Sequence, residues 1–342
     1  MFYVSNCNTI FKMKYLITGI TGFVGPHLAN LLIEKNHEVY GLVRSSNGME
    51  TDILDVVPDS NYTKIIFLYG DLARQDLVEK IFKDNKFDGV FHLAAQSHPP
   101  TSFLDPRGTF EANAIGTINL VEAIAKYQPS CKMMFCSTSE VYGAPLESAG
   151  PIDEKFPIDP VNPYGVSKAA ADLYVRERAK SLKLPFFVTR AFSHTGPRRG
   201  KNFSISSDAY QIARIKKGFQ GPSINVGNLS SKRVVMDVQD CVEAYCLLMD
   251  KFIPGEAYNV GGDHLYSMGE LLDKMLEIEG LTGKVEKKPD PNLIRPIDIP
   301  VQVCNTSKCR DLTGWAPKVP IEEILKRLLN YWHEKVRDSK NS

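Results

Sequence analysis

The feature that most restricts this chain is the run Gly19-Ile20-Thr21-Gly22-Phe23-Val24-Gly25. It sits between a short apolar stretch, Lys14–Thr18, and an amphipathic segment, Gly25–Lys35. A strand, a glycine turn and a helix in that order bring backbone N–H groups and a helix N-terminus up to a diphosphate. Gly25 also lets the helix pack close to the strand. The spacing is G-x-x-G-x-x-G and not the commoner G-x-G-x-x-G, so its weight comes from its place in a βαβ unit. A plain glycine turn is the alternative reading.

The alternation continues along the chain. Lys14–Thr18, Glu38–Val43, Lys64–Leu68, Gly89–Leu93, Met133–Ser137 and Phe186–Thr189 read as strands. Gly25–Lys35, Asp76–Asp84 and Phe110–Lys126 carry apolar residues at helical spacing. Such a pattern predicts an α/β fold, a Rossmann-type doubly wound parallel sheet that binds ligands at the carboxyl ends of its strands. After Arg190 the pattern loosens, with Pro and Gly interrupting PRRG, QGPSINVGN, PGEAYNVGG and KPDPNLIRP. We therefore expect a dinucleotide-binding domain over 13–190 with a returning segment near 234–262. A smaller α/β substrate-binding lobe would be built from 191–233 and 263–342.

The end of the second strand bears on the choice of dinucleotide. An acidic residue there would bind the ribose 2′-hydroxyl of NAD. Arg44-Ser45-Ser46 stands there instead, which suits a 2′-phosphate and hence NADP. Asp71-Leu72 fits a contact to the adenine, and the small residues of Leu93-Ala94-Ala95-Gln96-Ser97 leave room for the cofactor. Core packing is a second explanation for the alanines.

A second anchor is Asn162-Pro163-Tyr164-Gly165-Val166-Ser167-Lys168. Asn162 can cap a helix, Pro163 suits its first position, and Tyr164 and Lys168 then stand one turn apart on one face. A phenol becomes a base near neutral pH only if its pKa falls by about three units. One nearby cation contributes about 1–3 units, so Lys168 and a positive nicotinamide ring together suffice. Upstream, Cys136-Ser137-Thr138-Ser139-Glu140-Val141-Tyr142-Gly143 follows the fifth strand. Thr138 can hydrogen-bond a sugar hydroxyl beside Tyr164. Glu140 can remove a carbon-bound proton, unless it is merely a surface or capping carboxylate.

Composition removes other classes. A net charge of +1 gives no footprint for nucleic acid or an anionic membrane, and no apolar run reaches membrane-spanning length. The seven cysteines include no Cys-x-x-Cys, and no histidine pair completes a metal-ligand set, so they read as reduced and structural. The expected location is cytoplasmic. Residues before Met13 read as an extension or a misplaced start. His27, His37 and His333 read as packing or surface residues, Lys216-Lys217 and Lys287-Lys288 as solvated, and Trp315 as packing in the C-terminal lobe.

From Lys14 to Trp332 the chain resembles the extended short-chain dehydrogenases/reductases, and within them the enzymes of GDP-mannose metabolism. His92-Leu93-Ala94-Ala95-Gln96-Ser97-His98, Ser137-Thr138-Ser139-Glu140 and Pro197-Arg198-Arg199-Gly200 are similar to the 4,6-dehydratases. The resemblance implies catalysis by Thr138, Ser139, Glu140 and Tyr164 with Lys168 in support, and a recycled, tightly held NADP. It implies cofactor contacts by Gly19, Thr21, Gly22, Phe23, Val24, Gly25, His194 and Arg199. Ser193, Asn202, Arg233 and Arg295 would hold a GDP-linked sugar, in a homodimer or homotetramer. The implied reaction is oxidation at C4, loss of water across C5–C6 and hydride return to C6. Departures occur at Gly22-Phe23-Val24-Gly25 (for Gln-Asp-Gly), Ser193 (for Asn), Ser207 (for Lys) and Val234-Val235 (for Asp-Trp). With Gln211-Ile212-Ala213, these lean towards the sister reductases of GDP-4-keto-6-deoxy sugars, which remain the alternative, or towards a different hexose or heptose.

Overall fold

The computed structural model describes residues 12–44, 49–146, 148, 150–294 and 297–337. Seven strands form the central sheet: β1 (Lys14–Thr18), β2 (Glu38–Val43), β3 (Ile65–Tyr69), β4 (Gly89–His92), β5 (Lys132–Thr138), β6 (Phe186–Ala191) and β7 (Ala257–Val260). Their order is β3-β2-β1-β4-β5-β6-β7, and each neighbouring pair is parallel. β4, β6 and β7 are buried along their whole length, as expected of central strands in a parallel sheet covered on both faces. The six expected strands are all present with ends displaced by a residue or two. The returning segment contributes helix Val238–Lys251 and β7.

Helices Val24–Glu34 and Val238–Lys251 pack one face of the sheet, in a core that includes Ile17, Leu28, Phe91, Phe187 and Tyr245. Helices Gln75–Asp84, Gly116–Tyr127 and Pro163–Ser181 cover the other, around Leu16, Val90, Phe135, Leu120 and Val175. The strand order reverses between β1 and β4, and the crevice for a ligand opens at that point.

The helix expected over Phe110–Lys126 is broken into a short helix Pro106–Phe110, a π turn Glu111–Ile115 and helix Gly116–Tyr127. Asn113 is buried within the π turn, and its side chain is hydrogen-bonded to the loop after β4. π turns of this kind concentrate at functional sites.

The second lobe packs helices Ser204–Lys216, Met268–Ile278 and Ile321–Lys335 around their own apolar core. Lys232–Val234 lies between Leu265–Ser267 and Val301–Gln302 in a three-stranded sheet. Trp315 departs from expectation: its ring joins the core under the main sheet and its indole N–H donates to the Asp240 carbonyl at 2.9 Å. The helix Ser307–Thr313 just before it packs there too, because the apolar side of Val238–Lys251 would otherwise face water. Among the described residues no helix is long and apolar enough to cross a membrane.

Candidate active site

The glycine turn is shaped by what it cannot hold. Gly19 has φ of 74°, and a Cβ there would lie 2.8 Å from the Ala94 amide nitrogen. A Cβ on Gly25 would come within 2.5 Å of the Gly19 carbonyl oxygen, which accepts instead from the Gly22 N–H at 3.0 Å. Helix Val24–Glu34 follows with no side-chain cap at Phe23, so the first-turn N–H groups are offered by the backbone alone. A closely approached turn with donors at a helix N-terminus fits a diphosphate.

Behind the turn, the buried His92 is hydrogen-bonded to the hydroxyls of Thr18 (2.7 Å) and Thr117 (2.9 Å). Burial drives its pKa down to about 3, so it is a neutral strut between β1, β4 and the next helix. Thr18 Oγ1 also accepts from the Ala94 N–H at 3.2 Å. Asn113 accepts from the Gln96 N–H (2.8 Å) and donates to the Gln96 carbonyl (3.0 Å) and to Ser167 Oγ (2.9 Å). One amide thereby ties the loop Leu93–Ser97 to the helix carrying Tyr164 and Lys168. From the sequence, His92 was named only within the run His92–His98 and Asn113 not at all; an asparagine inside an amphipathic run was the available signal.

Arg44 ends β2 and is exposed; Ser45 and Ser46 lie outside the described residues. Leu72 is buried, with its carbonyl accepting from Asn119, and Asp71 accepts from the Ala73 N–H at 2.9 Å.

At the ends of β5 and β6 the catalytic candidates converge. Asn162 caps helix Pro163–Ser181 through the Gly165 N–H (2.7 Å) and donates its Nδ2 to Glu140 Oε2 (2.7 Å). A single side chain therefore sets the start of the Tyr164 helix and the aim of the carboxylate. Thr138 accepts from the Glu140 N–H at 3.2 Å and lies close enough to the Tyr164 phenol to lower its pKa. The phenol itself differs from expectation. Burial pushes its pKa well above the usual tyrosine range, and the nearby Glu140 carboxylate adds to this, while Thr138 and Arg199 pull it down. Lys168 is also buried, which lowers its pKa to about 8, and its ammonium lies 4.2 Å from the centre of the Phe135 ring. Ser139 turns its hydroxyl away to Gln302 Oε1 at 3.0 Å, fastening the loop Thr138–Glu140 to the second lobe.

On the facing wall, Arg199 lies 3.5 Å from the centre of the Phe203 ring and 4.9 Å from that of Phe23. Its desolvation lowers its pKa to about 10. His194 stacks on Phe23 with centroids 5.7 Å apart and hydrogen-bonds the Phe192 carbonyl; burial lowers it to about 4. Phe23, called only for its place in the turn, is thus a platform for two second-lobe side chains. Ser193 gives its carbonyl to the Met236 N–H, and Asn202 is exposed beside Gly200. Arg233 is held beside Asp298 at 3.9 Å on the strand Lys232–Val234. Arg295 lies outside the described residues. Among the described residues no group of His, Cys, Asp or Glu could hold a metal ion.

A dinucleotide turn, a tyrosine–lysine helix and a carboxylate in one crevice agree with the relatives of the chain. The family model for GDP-mannose 4,6 dehydratase matches residues 16–328. The chain belongs to that family. It is 32% identical over 325 residues to GDP-6-deoxy-D-mannose reductase of Pseudomonas aeruginosa, covering 95% of this chain and 99% of the relative. It is also 32% identical to GDP-mannose 4,6 dehydratase 1 of Arabidopsis thaliana, covering 92% and 88%. The solved structure of the P. aeruginosa RMD complexed with NADPH superposes with a TM-score of 0.80 at 29% identity, over 95% of this chain and 100% of that one. Chains of this family are extended short-chain dehydrogenases/reductases, as the sequence motifs led us to expect.

Proposed function

We propose that this family member is a nucleotide-sugar 4,6-dehydratase that acts on GDP-mannose or a related GDP-linked hexose or heptose, with NADP as resident cofactor. The observation that carries the reading is Glu140, aimed by Asn162 into the loop that also presents Thr138 to Tyr164. Hydride transfer alone needs a hydroxyl-directed acid–base group; elimination of water needs a further base for a carbon-bound proton. Tyr164 exchanges the proton of the C4 hydroxyl, with Thr138 beside the phenol. Glu140 takes the C5 proton and returns it to the departing C6 hydroxyl, and the proton that Tyr164 took from the C4 hydroxyl goes to C5 when hydride returns to C6. When bound, the dinucleotide supplies the hydride acceptor and donor and a positive ring beside the phenol. Gly19, Gly22, Gly25 and the first helical turn would hold its diphosphate, and Lys168 its nicotinamide ribose. The exposed Arg44 at the end of β2, without an acidic neighbour on that strand end, favours NADP. Arg233 suits a GDP phosphate, since guanidinium forks bind such oxygens bidentately.

Purified protein incubated with GDP-mannose and no added reductant should form a product lighter by one water, followed by mass spectrometry, with no net change in NADPH absorbance. A protein that leaves GDP-mannose intact but consumes NADPH stoichiometrically on a GDP-4-keto-6-deoxy sugar would instead be the reductase.

A further inference from the structure

Arg198 lies outside every contact assigned above, yet its side chain has four acceptors. Its guanidinium donates to the carbonyl oxygens of Gly22 (3.0 Å) and Thr21 (2.8 Å), to the carbonyl of Asp52, and to the Asp55 carboxylate (2.7 Å). The pair with Asp55 is largely buried, the two side chains being 13% and 8% exposed. Asp55 is itself held by the Tyr331 hydroxyl at 2.9 Å and by Lys335 at 3.6 Å, both from the last helix. Arg198 adopts a left-handed backbone, φ 73°, which a non-glycine residue keeps only where its surroundings impose it. Its neighbours act on the same turn: the Pro197 carbonyl is hydrogen-bonded to His27 at 3.0 Å, and Arg199 stacks on Phe23.

We propose that Arg198 is a positioning residue that fixes the peptide planes of the diphosphate turn from behind. In a planar trans peptide the C=O and the following N–H point in opposite directions. With the Gly22 carbonyl drawn to Arg198, the Phe23 N–H points the other way, into the helix N-terminus where an anion binds. With the Thr21 carbonyl drawn the same way, the Gly22 N–H is aimed at the Gly19 oxygen that closes the turn. Three distant parts of the chain meet on this one guanidinium: the glycine turn, the residues after β2, and the second lobe's Pro197–Gly200 with the last helix behind it. Affinity for the dinucleotide therefore depends on the docking of the second lobe. The inference rests on a nicotinamide dinucleotide occupying the turn, and is independent of the sugar chemistry.

The test is NADPH binding by fluorescence titration, alongside thermal melting of the dinucleotide-free proteins. Arg198→Met should weaken NADPH roughly 10- to 100-fold, the size expected from losing charge-assisted hydrogen bonds to the turn. Arg198→Lys should stay close to Arg198→Met, because a lysine keeps the charge but cannot span two carbonyls and a carboxylate. Asp55→Asn, which removes the anchor and leaves the arginine, should lose affinity in the same direction by a smaller factor and covers the case in which Arg198→Met does not fold. Wild-type affinity in Arg198→Lys or in both other variants overturns the proposal, as does a loss of affinity that only tracks lower melting temperatures. Failure of the parent protein to bind NADPH would instead remove the dinucleotide reading itself.

Discussion

The glycine turn and the corner of Glu140, Tyr164 and Lys168 are shaped by opposite means. In the turn, accuracy comes from missing atoms: Gly19 and Gly25 are the residues whose Cβ would strike the Ala94 nitrogen and the Gly19 oxygen. At the corner it comes from occupied positions, with Asn162 on Glu140, Thr138 on Tyr164, and Lys168 against Phe135. The first region is governed by backbone shape and fails through affinity. The second is governed by side-chain contacts among buried ionisable groups and fails through rate.

The largest effect should come from the corner. Tyr164→Phe keeps the ring and removes the proton carrier, so turnover should fall roughly 10²- to 10⁴-fold, while NADPH affinity and melting temperature stay near the parent's. Affinity that collapsed together with turnover would mean that the two regions are not separable. Gly19→Ala is the counterpart in the turn. A Cβ at positive φ against backbone atoms should weaken NADPH at least about tenfold and cost roughly 1–3 kcal/mol of stability, while kcat at saturating dinucleotide is retained. Isothermal titration and steady-state kinetics on the same preparation would show whether the loss is in affinity.

The smallest effect has the opposite sign. The buried Lys168 ammonium titrates near 8 in the fold, against about 10.4 in an unfolded chain. The unfolded state therefore holds more protons between those values, so this group's contribution rises with pH across that window and its penalty is complete below about 8. Lys168→Met should be slower yet more stable at pH 7, on the order of 1–2 kcal/mol once the lost Phe135 contact is set against the relief. Its advantage should shrink towards pH 10. Urea melts at both pH values would show it, and a variant less stable by the same amount at each would contradict the assignment of a penalised cation.

The two regions also differ in how far the sequence announced them. The strands up to β6 and the turn at Gly19–Gly25 are local patterns, so alternation and spacing carried them to within a residue or two. β7 was anticipated only as part of a returning segment, because four residues, Ala257–Val260, carry little periodicity of their own. At the corner, the types Thr138, Glu140, Tyr164 and Lys168 were readable, but their surroundings were not. Asn113 stands 17 positions from Gln96 and 54 from Ser167, and no local rule foresees a π turn that joins them. The raised phenol pKa shows the same limit, since burial is a property of the whole fold. Trp315 was misplaced for the same reason: its contact with Asp240 spans 75 residues.

The late arrival of β7 has a consequence for how the protein comes into being. β6 is buried on every residue, and its outer edge is closed only when β7 pairs along Val188–Ala191. A ribosome that has released the chain as far as Leu184 or Lys217 has therefore delivered the glycine turn and the Tyr164–Lys168 helix without a finished sheet. A nascent or truncated fragment of that length would expose an apolar strand edge able to capture another chain. Expression of the first domain by itself would need residues through Val260, even though every recognisable motif of that domain lies far upstream.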